Sequence, residues 1–186
     1  MSSKIQVPLD ERIEANREML AHMGGFPPHL LDQPMSGSKV CGKAEIDWVK
    51  GFRRLSTSEA GVVFVGSQEH IQTRMMLMAA AFTRNFIQAR VVPLHQVLES
   101  LKDGDHEFTE CTVLLIPNFF VVTHGKGLTG WQVGMLHSLL TNRYINGKKT
   151  VLYVESFEKM QTDYQSPVLN TLISSNYVHV RAAKNV

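Results

Sequence analysis

The stretch VVFVGSQEHIQT, residues 62–73, decides the fold of this chain. Its first four residues are apolar without interruption, which is the pattern of a short strand covered on both faces. A glycine and a polar turn follow, and residues 70–88, rich in Met, Ala and Leu, predict a helix. A buried strand that turns directly into a helix is the repeating unit of parallel α/β sheets. This part of the sequence therefore predicts an α/β domain.

The same alternation of strand and helix continues toward the end of the chain. Between the apolar runs, the sequence predicts helices over residues 95–102, 131–145 and 166–174. Five buried strands with helices between them predict an α/β three-layer sandwich with a mainly parallel five-stranded sheet. The five apolar runs lie at residues 62–65, 91–92, 112–116, 150–154 and 177–180.

The first part of the chain has a different pattern. Asp10 is suited to cap a helix that runs to about Met23 and stops at the glycines that follow. A second short helix is predicted over residues 45–55. We therefore divide the chain into a short helical N-terminal extension, residues 1–58, and an α/β domain, residues 59–186, with no helical lid domain.

Composition narrows the class of protein. The 186 residues are 44% hydrophobic and 19% charged, which excludes collagen-like, disordered and coiled-coil chains. A net charge of +2 is too small for a protein that coats nucleic acid. The longest apolar stretch, residues 75–82, is too short to cross a bilayer, and the first residues lack the apolar run of a signal peptide. We expect a soluble cytoplasmic protein without a membrane partner.

Several kinds of catalytic or metal site have no counterpart in the sequence. Cys41 and Cys111 have no neighbouring ligands at zinc spacing and form no disulfide framework. The eight histidines make no H-E-x-x-H pattern, and no G-x-S-x-G nucleophile elbow occurs. We therefore expect no bound metal and no nucleophilic hydrolase chemistry.

The turn after the first strand is the first place to look for a ligand, because parallel sheets bind ligands beyond the carboxyl ends of their strands. On the phosphate-binding pattern G-x-x-x-x-G-K-[ST], Gly66 and Thr73 match, whereas Ile71 and Gln72 replace the second glycine and the lysine. The lysine would neutralise phosphate, and glutamine carries no charge. Two matches alone are typical of an ordinary strand, turn and helix.

The third apolar run lacks the acidic residues that phosphate-loop ATPases use. In those enzymes an aspartate after such a strand helps to hold magnesium. Here residues 112–116 are followed by Pro117 and Asn118. Neither side chain can act as a carboxylate ligand.

The order of these segments resembles the AAA+ domain of the DnaC, DnaI and IstB group of helicase loaders and transposition ATPases. The resemblance covers residues 60–183, about two thirds of the chain. It rests on segments that correspond, in order, to the Walker A strand and loop, the second strand and helix, the Walker B strand, a helix ending in Arg-Tyr, the sensor 1 strand and the segment of the arginine finger. These segments are residues 62–73, 91–101, 113–116, 131–144, 149–156 and 167–172.

The resemblance implies an AAA+, P-loop-like fold without the activity of the family. It places Gly66, Gln72 and Thr73 in a degenerate nucleotide loop, with Pro117 and Asn118 at the acidic pair. Thr171 stands at the position of the arginine finger, a group that contributes on the order of 10³ to 10⁵ in rate in related enzymes. We therefore expect a pseudo-ATPase with no catalytic residue and no cofactor.

The function implied by the resemblance is that of a helicase loader or adaptor. The expected partner is the replicative DNA helicase of the DnaB type or another replication AAA+ protein, with single-stranded DNA as a further contact. Reduced loaders of this kind fit the replication modules of a phage or mobile element. The alternatives are a weak DnaC- or IstB-type ATPase and a regulator that caps an active AAA+ loader or initiator.

Two groups of residues are candidate contacts. The apolar side chains of the N-terminal extension can dock into a partner groove or fold back on their own domain, and the sequence does not choose between these. A basic group can contact DNA, or it can belong to a surface loop and a solvated turn with Arg143 packed inward. The partner-binding candidates are Ile13, Met19, Leu20, Met23, Phe26 and Leu30, and the DNA-contact candidates are Lys126, Arg143, Lys148 and Lys149.

Overall fold

The computed structural model describes residues 9–55, 58–67, 69–104, 107–122 and 127–182. In the N-terminal part, the predicted helix over residues 10–23 is corrected to two helices, α1 (Glu11–Ala15) and α2 (Arg17–Gly24), which meet at Asn16. Asp10 caps α1, because its carboxylate accepts a hydrogen bond from the N–H of Arg12. A third helix, α3 (Lys43–Gly51), replaces the longer helix predicted over residues 45–55. Short 3₁₀ turns cover Pro28–Asp32, Met35–Gly37 and Phe52–Arg54.

The sheet has five strands, all parallel, in the order β2-β3-β4-β1-β5. The predicted α/β architecture is thus confirmed, and the sheet is entirely rather than mainly parallel. The strands are β1 (Gly61–Val65), β2 (Ala89–Val91), β3 (Val113–Phe120), β4 (Lys149–Val154) and β5 (Tyr177–Arg181).

Helices connect every pair of successive strands. The sequence missed α6 and α8, which are short, and it placed the end of α4 too late. The helices are α4 (Ile71–Arg84) after β1, α5 (Leu94–Lys102) and α6 (Glu107–Glu110) after β2, α7 (Gly130–Ile145) after β3, and α8 (Phe157–Tyr164) and α9 (Pro167–Asn176) after β4.

The third strand is longer than predicted. We expected it to end at Ile116, but β3 continues through Pro117 and Asn118 to Phe120. Its pairing with β4 shifts register between Ile116 and Phe120. A proline cannot donate a hydrogen bond to the ladder, so an irregularity at this point allows the strand to continue past it.

Two hydrophobic cores lie on opposite faces of the sheet. Side chains alternate along each strand, so Val63 faces one core while Val62 and Phe64 face the other. The first core contains α5, α7 and α9. The second contains α4 together with residues from 13 to 48 of the N-terminal part. Instead of forming a separate arm, this part packs against α4 and shares the core beneath it.

Both cysteines are buried. Burial raises the pKa of the Cys41 thiol to about 11, and burial also raises the pKa of Cys111. Both thiols are therefore neutral over the physiological range. Within the described residues, no helix combines the length and apolar character needed to span a bilayer.

We expect neither thiol to react with a disulfide reagent at about pH 8 in the folded protein, and both to react after unfolding in guanidinium. Because the pKa of Cys41 is raised in the folded state, its contribution to stability is complete below about pH 9 and is lost as the pH rises toward 11, and the raised pKa of Cys111 acts in the same direction. Thiol titration and urea unfolding between these pH values measure the two effects. Rapid labelling of either thiol in the native state would contradict this arrangement.

Candidate functional site

The residues of the predicted degenerate nucleotide loop extend from the end of β1 into the first turn of α4. Gly66 and Ser67 follow the strand, and His70 takes the left-handed conformation, with φ of 56°, immediately before α4. Gln72 and Thr73 therefore lie in the first turn of α4, and both are exposed. The hydroxyl of Tyr153 in β4 donates a hydrogen bond to the carbonyl oxygen of Ser67 and fixes the start of the loop.

The first arginine of α4 is engaged away from this loop. Arg74 follows Thr73 directly, but its guanidinium is buried beside the carboxylate of Glu45 in α3, 3.1 Å away. The two side chains are only 3% and 2% exposed. The ion pair holds α3 against α4. The positive charge of Arg74 is therefore not available to the loop. A phosphate at this loop would meet the neutral Gln72.

At the end of β3, Asn118 has a structural contact. Its side-chain oxygen accepts a hydrogen bond of 2.9 Å from the N–H of Leu94, the first residue of α5. Asn118 thus satisfies one of the free N–H groups at the start of that helix. Sequence reasoning considered this residue only as a missing acid. Pro117, buried within β3, has no group that could bind magnesium.

Glu155, one residue beyond β4, is the carboxylate that lies close to this edge of the sheet. Its side chain accepts a hydrogen bond of 2.8 Å from the N–H of Val122, and its own N–H donates to the carbonyl oxygen of Phe120. These bonds tie the residues after β3 to the end of β4. Glu155 belongs to the segment that resembles sensor 1, and the sequence pattern alone does not identify it as a site residue.

Thr171 lies on the exposed side of α9, where the resemblance places the arginine finger. Its hydroxyl is uncharged and cannot stabilise the charge of a phosphate as an arginine does. In the described ranges of the chain, no group of three or more His, Cys, Asp or Glu side chains is placed to hold a metal ion.

The six apolar candidates of the N-terminal part separate into two groups. Ile13, Phe26 and Leu30 are buried in the core beneath α4, so they are not available to a partner and the predicted set is corrected. Met19 and Met23 on α2 are 53% and 47% exposed. The sequence of an apolar helix stripe does not show which of its side chains another helix buries.

The exposed methionines belong to a larger apolar surface. Leu20 and Met23 line a cavity of about 400 Å³ together with Phe86, which follows α4. Phe86 is 57% exposed and has φ of 58°, a conformation that costs a non-glycine residue on the order of 1–3 kcal/mol. The guanidinium of Arg12 lies 4.6 Å from the centre of its ring. We call Met19, Leu20, Met23 and Phe86 the methionine surface.

Sequence reasoning missed Phe86 because it extended the helix to residue 88. The available signal was the pair Arg84-Asn85 before it. Asn85 is the C-cap that follows the last residue of α4, and Phe86 after it takes the left-handed conformation in which helices commonly end.

The basic candidates for DNA contact are largely structural. Arg143 is 1% exposed and donates hydrogen bonds to the carbonyl oxygens of Phe108, Cys111 and Lys149 at 2.9, 3.1 and 2.6 Å. It also donates to the hydroxyl of Thr150 at 3.0 Å. The alternative in which Arg143 packs inward is therefore correct, and its prediction as a DNA contact is wrong.

The neighbouring lysines are also engaged. Lys149 is buried and donates to the carbonyl oxygen of Glu59, which removes it from the DNA-contact set. Lys148 lies 3.2 Å from the carboxylate of Glu110. Lys126 lies outside the described residues. Lys148 and Lys149 lie at the start of β4, at the opposite edge of the sheet from Gly66 and Thr73.

Several solved structures share this fold. The crystal structure of DnaI matches 86% of this chain and 92% of that chain with a TM-score of 0.63 and 10% sequence identity. This chain has a DnaC/DnaI-like AAA+ fold. The crystal structure of the DnaC helicase loader matches 75% of this chain and 86% of its own, with a TM-score of 0.56 and 15% identity.

A replication initiator shares the same fold. Domain III of the Thermotoga maritima replication initiation protein DnaA matches 86% of this chain and 69% of its own, with a TM-score of 0.58 and 12% identity. No family model matches the sequence, and no curated protein matches it significantly. At these identities the likeness establishes the fold, and the AAA+ order of strands places the loop at Gly66 at the first strand of the domain.

Proposed function

We propose that this protein is an ATPase-deficient, DnaC-like helicase loader or adaptor that binds the replicative DNA helicase during DNA replication in a phage or mobile element. The observation that carries the proposal is the methionine surface, an exposed apolar site on a fold shared with DnaI and with a protein described as the DnaC helicase loader. Large exposed apolar side chains grouped at a cavity are typical of protein interaction sites.

The nucleotide loop supports the absence of ATP hydrolysis in this proposal. Gln72 supplies no positive charge, and Arg74 is held by Glu45 inside the core. Asn118 caps α5 rather than ligating a cation. Phosphoryl transfer depends on charge stabilisation by a lysine, magnesium and an arginine finger, and the side chains present at these positions supply none of it.

We expect calorimetric titration with magnesium-ATP to give no binding in the micromolar range. Gln72→Lys alone is expected to leave hydrolysis undetectable, because the acidic ligand and the arginine finger are still missing. The Glu69→Gln variant of the same loop serves as a control for the effect of charge alone. Micromolar, magnesium-dependent binding by the wild-type protein would contradict this and favour the weak DnaC- or IstB-type ATPase.

The methionine surface suits a partner helix laid against α2. Methionine side chains are flexible and polarizable and adapt to varied apolar partners. Phe86 supplies a rigid aromatic anchor, the type of residue that dominates the energetics of interfaces. In this mechanism the surface docks on the helicase ring, and the α/β domain holds the ring for recruitment to single-stranded DNA without a cycle of ATP hydrolysis.

Variants of the methionine surface test this assignment. Met23→Ser and Phe86→Gly are each expected to weaken co-purification with the hexameric replicative helicase on the order of tenfold or more. Phe86→Gly is also expected to keep or raise the melting temperature, because glycine adopts a positive φ without strain. Val168→Ser, at an exposed apolar residue on α9, is the matched control and should bind like the wild type.

Unchanged binding by both surface variants would contradict the assignment of this surface. A complex with an AAA+ loader or initiator, formed in place of one with the helicase, would contradict the partner and favour the capping regulator.

A further inference from the structure

A second groove lies beside the methionine surface. It has a volume of about 340 Å³ and runs between the 3₁₀ turn Met35–Gly37, α3 and the C-terminal part of α4. Its floor is aliphatic and includes Met35, Ile46, Val49 and Ala81. The start of α1 adjoins both surfaces, because Asp10 lines this groove while Arg12 covers Phe86.

The rim of the groove carries positive charge. Lys50 and Arg84 line it, and Arg53 approaches it through a hydrogen bond of 3.4 Å to the carbonyl oxygen of Asn85, another lining residue. On α3, Ile46, Val49 and Lys50 line the groove, whereas Asp47, three residues before Lys50, does not line it.

The carboxylates close to the groove are paired with other arginines. Asp10 lies 3.1 Å from Arg12, and Asp32 lies 2.8 Å from Arg17. The Arg12 guanidinium lowers the pKa of Asp10, and hydrogen bonding to Arg17 lowers the pKa of Asp32, so both acids stay ionised and matched. Asp32 also interacts electrostatically with Arg84, and Asp47 lies three residues before Lys50, so these two acids offset part of the charge of the rim. Lys50, Arg84 and Arg53 still outnumber them.

We propose that this groove binds an acidic, amphipathic peptide segment of a partner protein. Apolar side chains of the segment cover the aliphatic floor, and its carboxylates pair with Lys50, Arg84 and Arg53. An amphipathic helix with anchors at i, i+3, i+4 and i+7 is a common occupant of such a groove, and charge-assisted hydrogen bonds to its carboxylates add specificity.

The floor of the groove favours a peptide over nucleic acid. Sites for single-stranded DNA combine positive charge with aromatic side chains on which the bases stack. The residues that line this groove include no aromatic side chain. The proposal adds a recognition surface to the proposed function and does not depend on which protein the methionine surface binds.

Fluorescence anisotropy with three labelled probes and the full chain tests the proposal. The first probe is a peptide of about 12 residues with leucine at i, i+3, i+4 and i+7 and glutamate elsewhere, which is long enough for these anchors. The second probe replaces each glutamate with lysine, and the third is oligothymidylate of about 15 nucleotides, a length within the range of single-strand sites. The acidic peptide is expected to bind, more weakly as salt is raised.

Charge variants locate the site. Lys50→Glu combined with Arg84→Glu is expected to weaken binding of the acidic peptide on the order of tenfold or more. Lys102→Glu, at an exposed residue of α5 on the other face of the sheet, should bind it like the wild type. Because both rim cations lie near helix C-termini, where positive charge is favourable, the neutral pair Lys50→Gln and Arg84→Gln is measured alongside, with folding checked by circular dichroism.

Three results would overturn the proposal. The first is failure of the acidic peptide to bind the wild-type protein. The second is equal binding by the wild-type protein and the folded rim variants, which would show that these cations serve the helix ends only. The third is binding of the oligonucleotide or the basic peptide in preference to the acidic one. None of these depends on whether the helicase co-purifies.

Discussion

Replacing Arg143 with methionine is expected to destabilise the protein by on the order of 3–5 kcal/mol. The guanidinium is almost fully buried and donates to carbonyl oxygens within α6, directly after α6 and at the start of β4. Methionine fills a similar volume but leaves these oxygens without donors, and each unsatisfied buried acceptor costs about 1–3 kcal/mol. Such a loss is a large part of the total stability of a domain, about 5–15 kcal/mol.

Urea unfolding measures this effect. Lys148→Met is the matched control, because Lys148 lies five residues further along, near the surface, in an ion pair with an exposed glutamate, and an exposed pair contributes about 0–1 kcal/mol. If Arg143→Met kept wild-type stability and lost affinity for single-stranded DNA, the assignment of Arg143 as a structural residue would be wrong.

The second large effect is expected for Glu45→Ala, also on the order of 3–5 kcal/mol. This variant leaves the Arg74 guanidinium buried without the carboxylate that matches its charge, 3.1 Å away in the wild type. Since the pair joins α3 to α4, the loss is expected to appear first as faster proteolysis of the N-terminal part. Asp47→Ala, at an exposed residue of the same helix, controls for the removal of a carboxylate from α3.

A double-mutant cycle isolates the ion pair. Glu45→Leu with Arg74→Met is expected to be more stable than the sum of the single changes predicts, because apolar residues of similar volume replace a buried pair with little net loss. Strictly additive single and double changes, measured by urea unfolding, would show that the two side chains do not interact energetically.

The number and the positions of the strands were predictable because three of them, β1, β3 and β4, contain uninterrupted apolar runs. Residues 62–65 alone predict a buried strand, because a strand covered on both faces is apolar throughout and does not alternate with polar residues. The end of β3 was not predictable in this way. In the sequence, Pro117 predicts the end of a strand. The structure shows that β3 continues beyond Pro117 because its register with β4 shifts there.

The contacts of polar side chains were the least predictable part of the site. The sequence left Arg143 either as a DNA contact or packed inward, and Lys149 either as a DNA contact or in a solvated turn, because it does not show which carbonyl groups lie near them in space. The N-terminal part shows the same limit. Ile13 and Met23 are equally apolar in sequence, and the position of α4 decides that one is buried and the other exposed. Asn118 is a similar case, since the helix that it caps begins 24 residues earlier.

The methionine surface and the AAA+ fold together make association with the replicative helicase the central claim. Size-exclusion chromatography of the full chain mixed with the hexameric helicase, in buffer without nucleotide, tests it most directly. The account predicts that the two proteins elute together and that Met23→Ser reduces the fraction in the complex. Separate elution of the wild-type chain and the helicase, with and without added magnesium-ATP, would contradict it.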